Sequence, residues 1–331
     1  MASLQEVARR AKVSIATVSR VLNKSKKVVP ETRAIVEQAL RDLEYRPSRV
    51  ARRLRMKDGR AHLVGLIIPD IQNPFYAEIA RGVEDAAYAA EYALLLCNSD
   101  ESSEKEQFYL DVMRSESVDG VVLPPFAETD AAVSAIMKTG MPVVCVDRSL
   151  SKEKTDLVEV DNYRGAFEAV THLIERGHKS IGLIEGRIQV STNRERRRGY
   201  LDALAEAGVP VRKDLMREGD FRQESGRLLA GQLLDLKRPP TALFALNNLM
   251  TIGALDAIHQ RHLKVPVDIA IVGFDDLPFA EALDPPLTVV RQPAYEVGRQ
   301  AMELLLKRIM EATRSTVTMR LLPQLIVRRS T

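Results

Sequence analysis

The chain has 331 residues, 45% hydrophobic and 28% charged, an ordinary globular composition that excludes disorder and is long enough for a small module beside a large two-lobed body. The net charge of +3 conceals an asymmetry: residues 1–60 hold 16 Lys or Arg against 6 Asp or Glu, a net +10, whereas residues 61–331 hold 32 against 39, a net −7. A basic module on an acidic body points to a polyanion at the N-terminal end, because phosphate neutralisation dominates nucleic-acid affinity, although a solvated basic face has the same composition. No leader opens the chain and no run approaches the roughly 18 apolar residues that span a bilayer, so a cytoplasmic protein with no membrane partner is expected.

Three amphipathic helices are predicted in the opening stretch: on Leu4, Val7, Ala8 and Ala11, on Val18, Val21 and Leu22, and on Ile35, Val36, Ala39, Leu40 and Leu43. Ser3 with Glu6 fits a capping box, Ser14 can cap the second helix, and Pro30 suits the first position of the third. The short turn between the first two gives helix-turn-helix geometry, which presents the second helix to the major groove. The string SRVARRLRMKDGR, residues 48–60, places Val50, Ala51 and Leu54 on one helical face. Repulsion among Arg49, Arg52, Arg53 and Arg55 makes it a linker that becomes helical when phosphates neutralise it.

From His62 onward, apolar runs alternate with amphipathic segments: HLVGLIIP, YALLLCN, VDGVVLP, PVVCVD, KSIGLIEG, TALFALN and DIAIVGF, with helices predicted at 75–89, 163–176, 194–207, 225–236 and 248–262. This is an α/β body of doubly wound parallel sheets in two similar lobes, one ending near Asp161 and one near Asp275, with a ligand cleft between them. Cys97 and Cys145 lie in apolar runs and read as buried free thiols.

The strings LQEVARRAKVSIATVSRVLN and VPETRAIVEQALRDLEYRPSRVARRL resemble the DNA-binding segment of the LacI/GalR family of bacterial transcription regulators. The resemblance continues through VGLIIPDIQNPFYAEIARGVEDAA, HLIERGHKSIGLIEG, GDFRQESG, IVGFDD and LIVRRS, and so covers essentially the whole chain; purine-repressor-like and catabolite-control-like members are the most similar in pattern. It implies a helix-turn-helix headpiece over residues 1–46, a hinge helix and linker over 47–60, and a periplasmic-binding-protein-like core over 61–331 that binds an effector and dimerises. The implied function is a repressor on pseudo-palindromic operator DNA, controlled by a small molecule that is a carbohydrate or a derivative of one.

On that resemblance Ile15, Ala16 and Arg20 enter the major groove, with Ser14, Thr17 and Ser19 towards the backbone. Arg20 can grip guanine O6 and N7 together, and Ala16 can touch only apolar base edges; Ile15 fits either such a contact or the headpiece core. Ser48, Ala51 and Leu54 map to the hinge, where Leu54 matches the residue that wedges into the minor groove at the operator centre. The effector positions map to Phe75, Tyr76, Asp147, Asp161, Thr192, Arg196, Phe221 and Asp275. The aromatics suit either ring stacking or core packing, and Arg196 with Asp147 and Asp275 can bind hydroxyls or a carboxylate.

Two departures stand out. Asn247-Asn248 replaces the Asn-Asp usual in the family, and Val190 stands where purine-type members use an arginine, which argues against a purine. Of Arg194, Arg196, Arg197 and Arg198, only one or two can face the cleft from one helix. Neither an enzyme nor a transport-type binding protein fits as well, because phosphate-loop, nucleophile-elbow and dinucleotide motifs are absent and the chain opens on a basic helix-turn-helix. No catalytic residue, metal or cofactor is expected, and His259 and His262 read as solvated.

Overall fold

The computed structural model describes residues 2–22, 25, 27–45, 60–151 and 153–331, which divide into two compact units, Met1–Ala61 and His62–Thr331. Ser48, Ala51 and Leu54, with the rest of the expected hinge, lie outside the described residues.

The first unit is three helices, α1 (Leu4–Arg10), α2 (Ile15–Leu22) and α3 (Pro30–Asp42). Ser3 and Glu6 form the expected capping box, and Pro30 opens α3. Val7, Ala8, Ala11, Val18, Val21, Val36 and Ala39 form its core, with Leu4, Leu22, Leu40 and Leu43 packed around them. Ile35, expected on the apolar face of α3, is exposed instead: the stripe runs through Val36, Ala39 and Leu43, and its neighbour in sequence falls on the solvent side.

The second unit holds two six-stranded sheets. Strands β1 (Leu63–Ile68), β2 (Ala93–Asn98), β3 (Val121–Leu123), β4 (Val143–Val146), β5 (Asp156–Val160) and β11 (Thr318–Leu321) form one, in the order β11-β5-β4-β3-β1-β2. Strands β6 (Ile181–Glu185), β7 (Met216–Glu218), β8 (Ala242–Ala245), β9 (Ala270–Phe274), β10 (Thr288–Arg291) and β12 (Gln324–Ile326) form the other, in the order β12-β10-β9-β8-β6-β7. The two orders are the same pattern, so the lobes share one topology. Pairing is parallel throughout the first sheet and in the second except at β12, which runs antiparallel to β10. Strands β1, β3, β4, β6, β8 and β9 are buried along their whole length, which is why they read as unbroken apolar runs.

The helices are α4 (Pro74–Ala89), α5 (Ser103–Ser115), α6 (Ala131–Lys138), α7 (Asn162–Glu175), α8 (Ser191–Glu206), α9 (Gln223–Leu234), α10 (Asn248–Gln260) and α11 (Ala294–Met310). The expectation of one lobe ending near Asp161 and the next near Asp275 needs refinement. After β10 the chain returns to the first lobe as α11, which packs on α4, β4 and β5, and then supplies β11 to the first sheet and β12 to the second. Three connections therefore cross between the lobes: β5 to α7, β10 to α11 and β11 to β12. Cys97 and Cys145 are buried and free, and His259 and His262 are exposed.

Candidate functional site

On the headpiece, Ser14 caps α2: its Oγ accepts from the Thr17 backbone N–H at 3.1 Å and lies 2.9 Å from Thr17 Oγ1. Val18 and Val21 turn inward, whereas Ile15, Ala16 and Arg20 are exposed and Thr17 and Ser19 are half-buried. Ile15 is thus outside the headpiece core, 44% exposed.

In the second unit, one cavity between the lobes is lined by the C-terminal ends of strands from both sheets, where open α/β sheets bind ligands. Seven of the eight expected effector residues line it: Phe75, Tyr76, Asp147, Thr192, Arg196, Phe221 and Asp275. Asp161 does not. Its carboxylate accepts from the Arg164 backbone N–H and caps α7, and the neighbouring Asn162 is the residue that reaches towards the site.

The polar groups are cross-braced. Tyr76 Oη donates to Asp147 Oδ2 at 3.0 Å, and Arg148 clamps Glu101 through two bonds of 2.5 and 3.1 Å. Arg196 lies 3.8 Å over the Phe274 ring, donates to Asn162 Oδ1 and the Leu246 carbonyl, and stands 3.8 Å from Asp275. Gln292 donates to Asp275, and Asn247 Nδ2 holds the Phe221 carbonyl at 2.9 Å. Burial pushes the carboxyls of Asp147 and Asp275 up, against the pull of the neighbouring arginines, and pushes the Tyr76 phenol well above its usual range. Burial also works against the charge of Glu101, but Arg148, with Arg187 and Arg222, outweighs it and holds that carboxyl low.

Sequence reading missed Glu101, Arg148 and Asn73. Arg148 directly follows Asp147, and in a strand two successive side chains point to opposite faces. Asp147 has φ +61°, a left-handed turn at the end of β4, which breaks that alternation. Asp100, Glu101, Phe221 and Asp275 also have positive φ, and all five line this one cavity. Such conformations are unfavourable for residues other than glycine and cluster where function needs them. The cavity is about 40 Å³, room for about three waters at 10–15 Å³ each.

Three side-chain contacts among the described residues brace the lobes against each other: Asn248 Nδ2 donates to Asn73 Oδ1 at 2.9 Å, Arg194 pairs with Glu128, and Arg222 stands 3.6 Å from Asp100. Of the four clustered arginines only Arg196 is buried at the cleft, while Arg197 pairs with Glu185 and Arg198 with Glu195.

No helix among the described residues is long and apolar enough to cross a membrane. Residues 3–48 match the family described as bacterial regulatory proteins, lacI family, and residues 61–325 match periplasmic binding proteins and sugar binding domain of LacI family. The HTH-type transcriptional repressor PurR of Pasteurella multocida is 34% identical over 331 residues, 100% of this chain and 98% of that protein. A structure of the transcriptional regulator CelR in complex with cellobiose is 33% identical, covering 100% of each chain with a TM-score of 0.77. The lac repressor dimer bound to operator and the anti-inducer ONPF is 27% identical, covering 100% of this chain and 99% of that one with a TM-score of 0.88. Headpiece, two-lobed body and full-length similarity lead to one assignment: the chain belongs to the LacI family and is a DNA-binding transcription regulator with an effector-binding domain, not an enzyme.

Proposed function

We propose that the protein is a cytoplasmic, homodimeric repressor whose residues 1–46 bind pseudo-palindromic operator DNA, whose residues 47–60 form the hinge, and whose residues 61–331 bind a carbohydrate between the lobes. The observation that carries the effector site is the ring of five left-handed strand-end residues around a single cavity. Phe75, Tyr76, Asp147, Thr192, Arg196, Phe221 and Asp275 hold the ligand in this reading, and Asp161 serves it indirectly through the position of Asn162. A cavity of about 40 Å³ is far too small for a sugar ring, so the lobes part to admit one and close over it. The carbohydrate reading is favoured by the sugar-bound CelR neighbour and by buried Val190, which offers a purine no charge.

On DNA, Ser14, Ile15, Ala16, Thr17, Ser19 and Arg20 face the major groove, while Ser48, Ala51 and the wedge Leu54 serve the minor groove. Dimerisation is supported by the operator-bound lac repressor dimer and by Leu96 on edge strand β2 and Tyr88 on adjacent α4, 39% and 78% exposed. The test is selection of bound duplexes from a random pool, followed by competition with sugars. Enrichment of a palindrome whose retention changes with a sugar is expected; sequence-independent binding, or retention indifferent to every sugar, rejects the reading.

A further inference from the structure

We infer that the cleft selects an uncharged saccharide against its phosphorylated and oxidised derivatives, and that the Arg148–Glu101 pair sets this selection. The inference rests on the carbohydrate reading above and adds the charge of the ligand to it. Six carboxylates line the cavity (Asp70, Asp100, Glu101, Asp147, Asp220 and Asp275) against three guanidinium groups. Two of the three are held by direct hydrogen bonds, and the third stands beside a carboxylate. Arg148 is clamped by Glu101, Arg196 is held by Asn162, the Leu246 carbonyl and Asp275, and Arg222 stands 3.6 Å from Asp100. Arg187, near the same side, faces Glu101 as Arg222 does.

A second observation points to the ligand itself. Arg148 Nε is buried and has no hydrogen-bond partner; the side chain is 6% exposed, and Asp147 Oδ2 is 3.7 Å away and out of reach. Its charge is already neutralised by Glu101, so what it offers is one directional donor. A hydroxyl satisfies it as an acceptor and, at the same time, donates to one of the surrounding carboxylates. A phosphate or carboxylate at neutral pH only accepts, and would meet those carboxylates as like charge. Removing the charge of Glu101 leaves Arg148 as a buried cation without its partner, which an anionic ligand can then supply.

The experiment is a thermal-shift and calorimetric panel on the full chain and on Glu101→Gln. The probes are ribose, glucose and cellobiose, their counterparts ribose 5-phosphate, glucose 6-phosphate and gluconate, the cation glucosamine, and hypoxanthine. The expected result is stabilisation of the wild type by a neutral sugar, with the anionic counterpart weaker by roughly tenfold or more in Kd, and a narrowed or reversed ratio in Glu101→Gln. A wild type that binds an anionic sugar, or glucosamine, as tightly as the neutral one overturns the inference alone, as does an unchanged ratio in the variant. Response to hypoxanthine alone, or to no probe, overturns the carbohydrate reading and the inference together. If Glu101→Gln does not fold, the matched pairs on the wild type still decide.

Discussion

Arg20 stands exposed on α2 beside Ala16, with no side-chain bond among the described residues to restrain it, while Ser14 and Thr17 fix the start of the helix beneath it. Arg20→Ala is therefore expected to cost about 1–3 kcal/mol per half-site and to relax preference at one base position of each. Selection on randomised duplexes checks this; unchanged preference everywhere moves the base contact to another residue. Glu106 gives a prediction in pH. Burial first, then the hydrogen bond and charge of Asp130, push its carboxyl from the ordinary 4.5 up to about 9, while the Phe126 backbone N–H pulls weakly the other way. Between those values the folded protein holds a proton that the unfolded chain has released, so this group makes stability fall as pH rises from about 4.5 to 9. Glu106→Gln keeps a donor for Asp130 and an acceptor for Phe126 without a charge. Its advantage over wild type in urea unfolding should grow from pH 5 to pH 9, and a constant difference would count against the buried proton.

Helices α4 and α11 cross through two glycines. A Cβ on Gly82 would lie 2.1 Å from the Tyr295 carbonyl oxygen, and one on Gly298 would lie 2.1 Å from that of Ile79. The pair α9 and α10 repeats the device with Gly226 and Gly253. Alanine in a helix is favoured over glycine by about 1 kcal/mol, but here it meets backbone that cannot rotate aside, and overpacking costs about 1–3 kcal/mol or more. Gly82→Ala should therefore lower the urea midpoint, and a raised midpoint would show that the helices separate freely. These glycines were invisible to periodicity, which marks apolar stripes and not the depth of a crossing. The same limit explains what else was illegible. Of the runs from HLVGLIIP to DIAIVGF, six are central strands buried on both faces and one, YALLLCN, is edge strand β2, and each stood out from sequence as an apolar run. Strands β7, β11 and β12 are short, half-exposed edge strands with mixed polarity, and helix α5 carries Glu104, Lys105 and Glu106 in its first turns, so neither pattern was clear. In the site, the resemblance supplied the residues at strand ends, but Glu101 and Arg148 depend on left-handed turns at 101 and 147 that non-glycine residues do not announce.

Across the whole molecule, the departure at Asn248 acquires a structural role. Its Oδ1 accepts from the Leu249 backbone N–H, which aims Nδ2 at Asn73 Oδ1, itself committed as acceptor to Phe75 N–H. An aspartate there would set a carboxylate against that acceptor. Asn248→Asp should lose about 1–3 kcal/mol of lobe closure and give a larger radius of gyration by small-angle scattering in the absence of sugar. An unchanged scattering curve would place closure elsewhere, with the Arg194–Glu128 pair the next to remove. The three lobe crossings have a different consequence, one of timing. Strands β11 and β12 follow every other strand in the chain, and each is the edge of a different sheet. During synthesis the headpiece core is complete once residue 45 has emerged, whereas neither lobe can close its sheet until residues 318–326 are free of the ribosome. The DNA-binding module can thus mature long before the part that regulates it, and a premature stop between β10 and β11 leaves a folded headpiece attached to two sheets that each lack an edge strand.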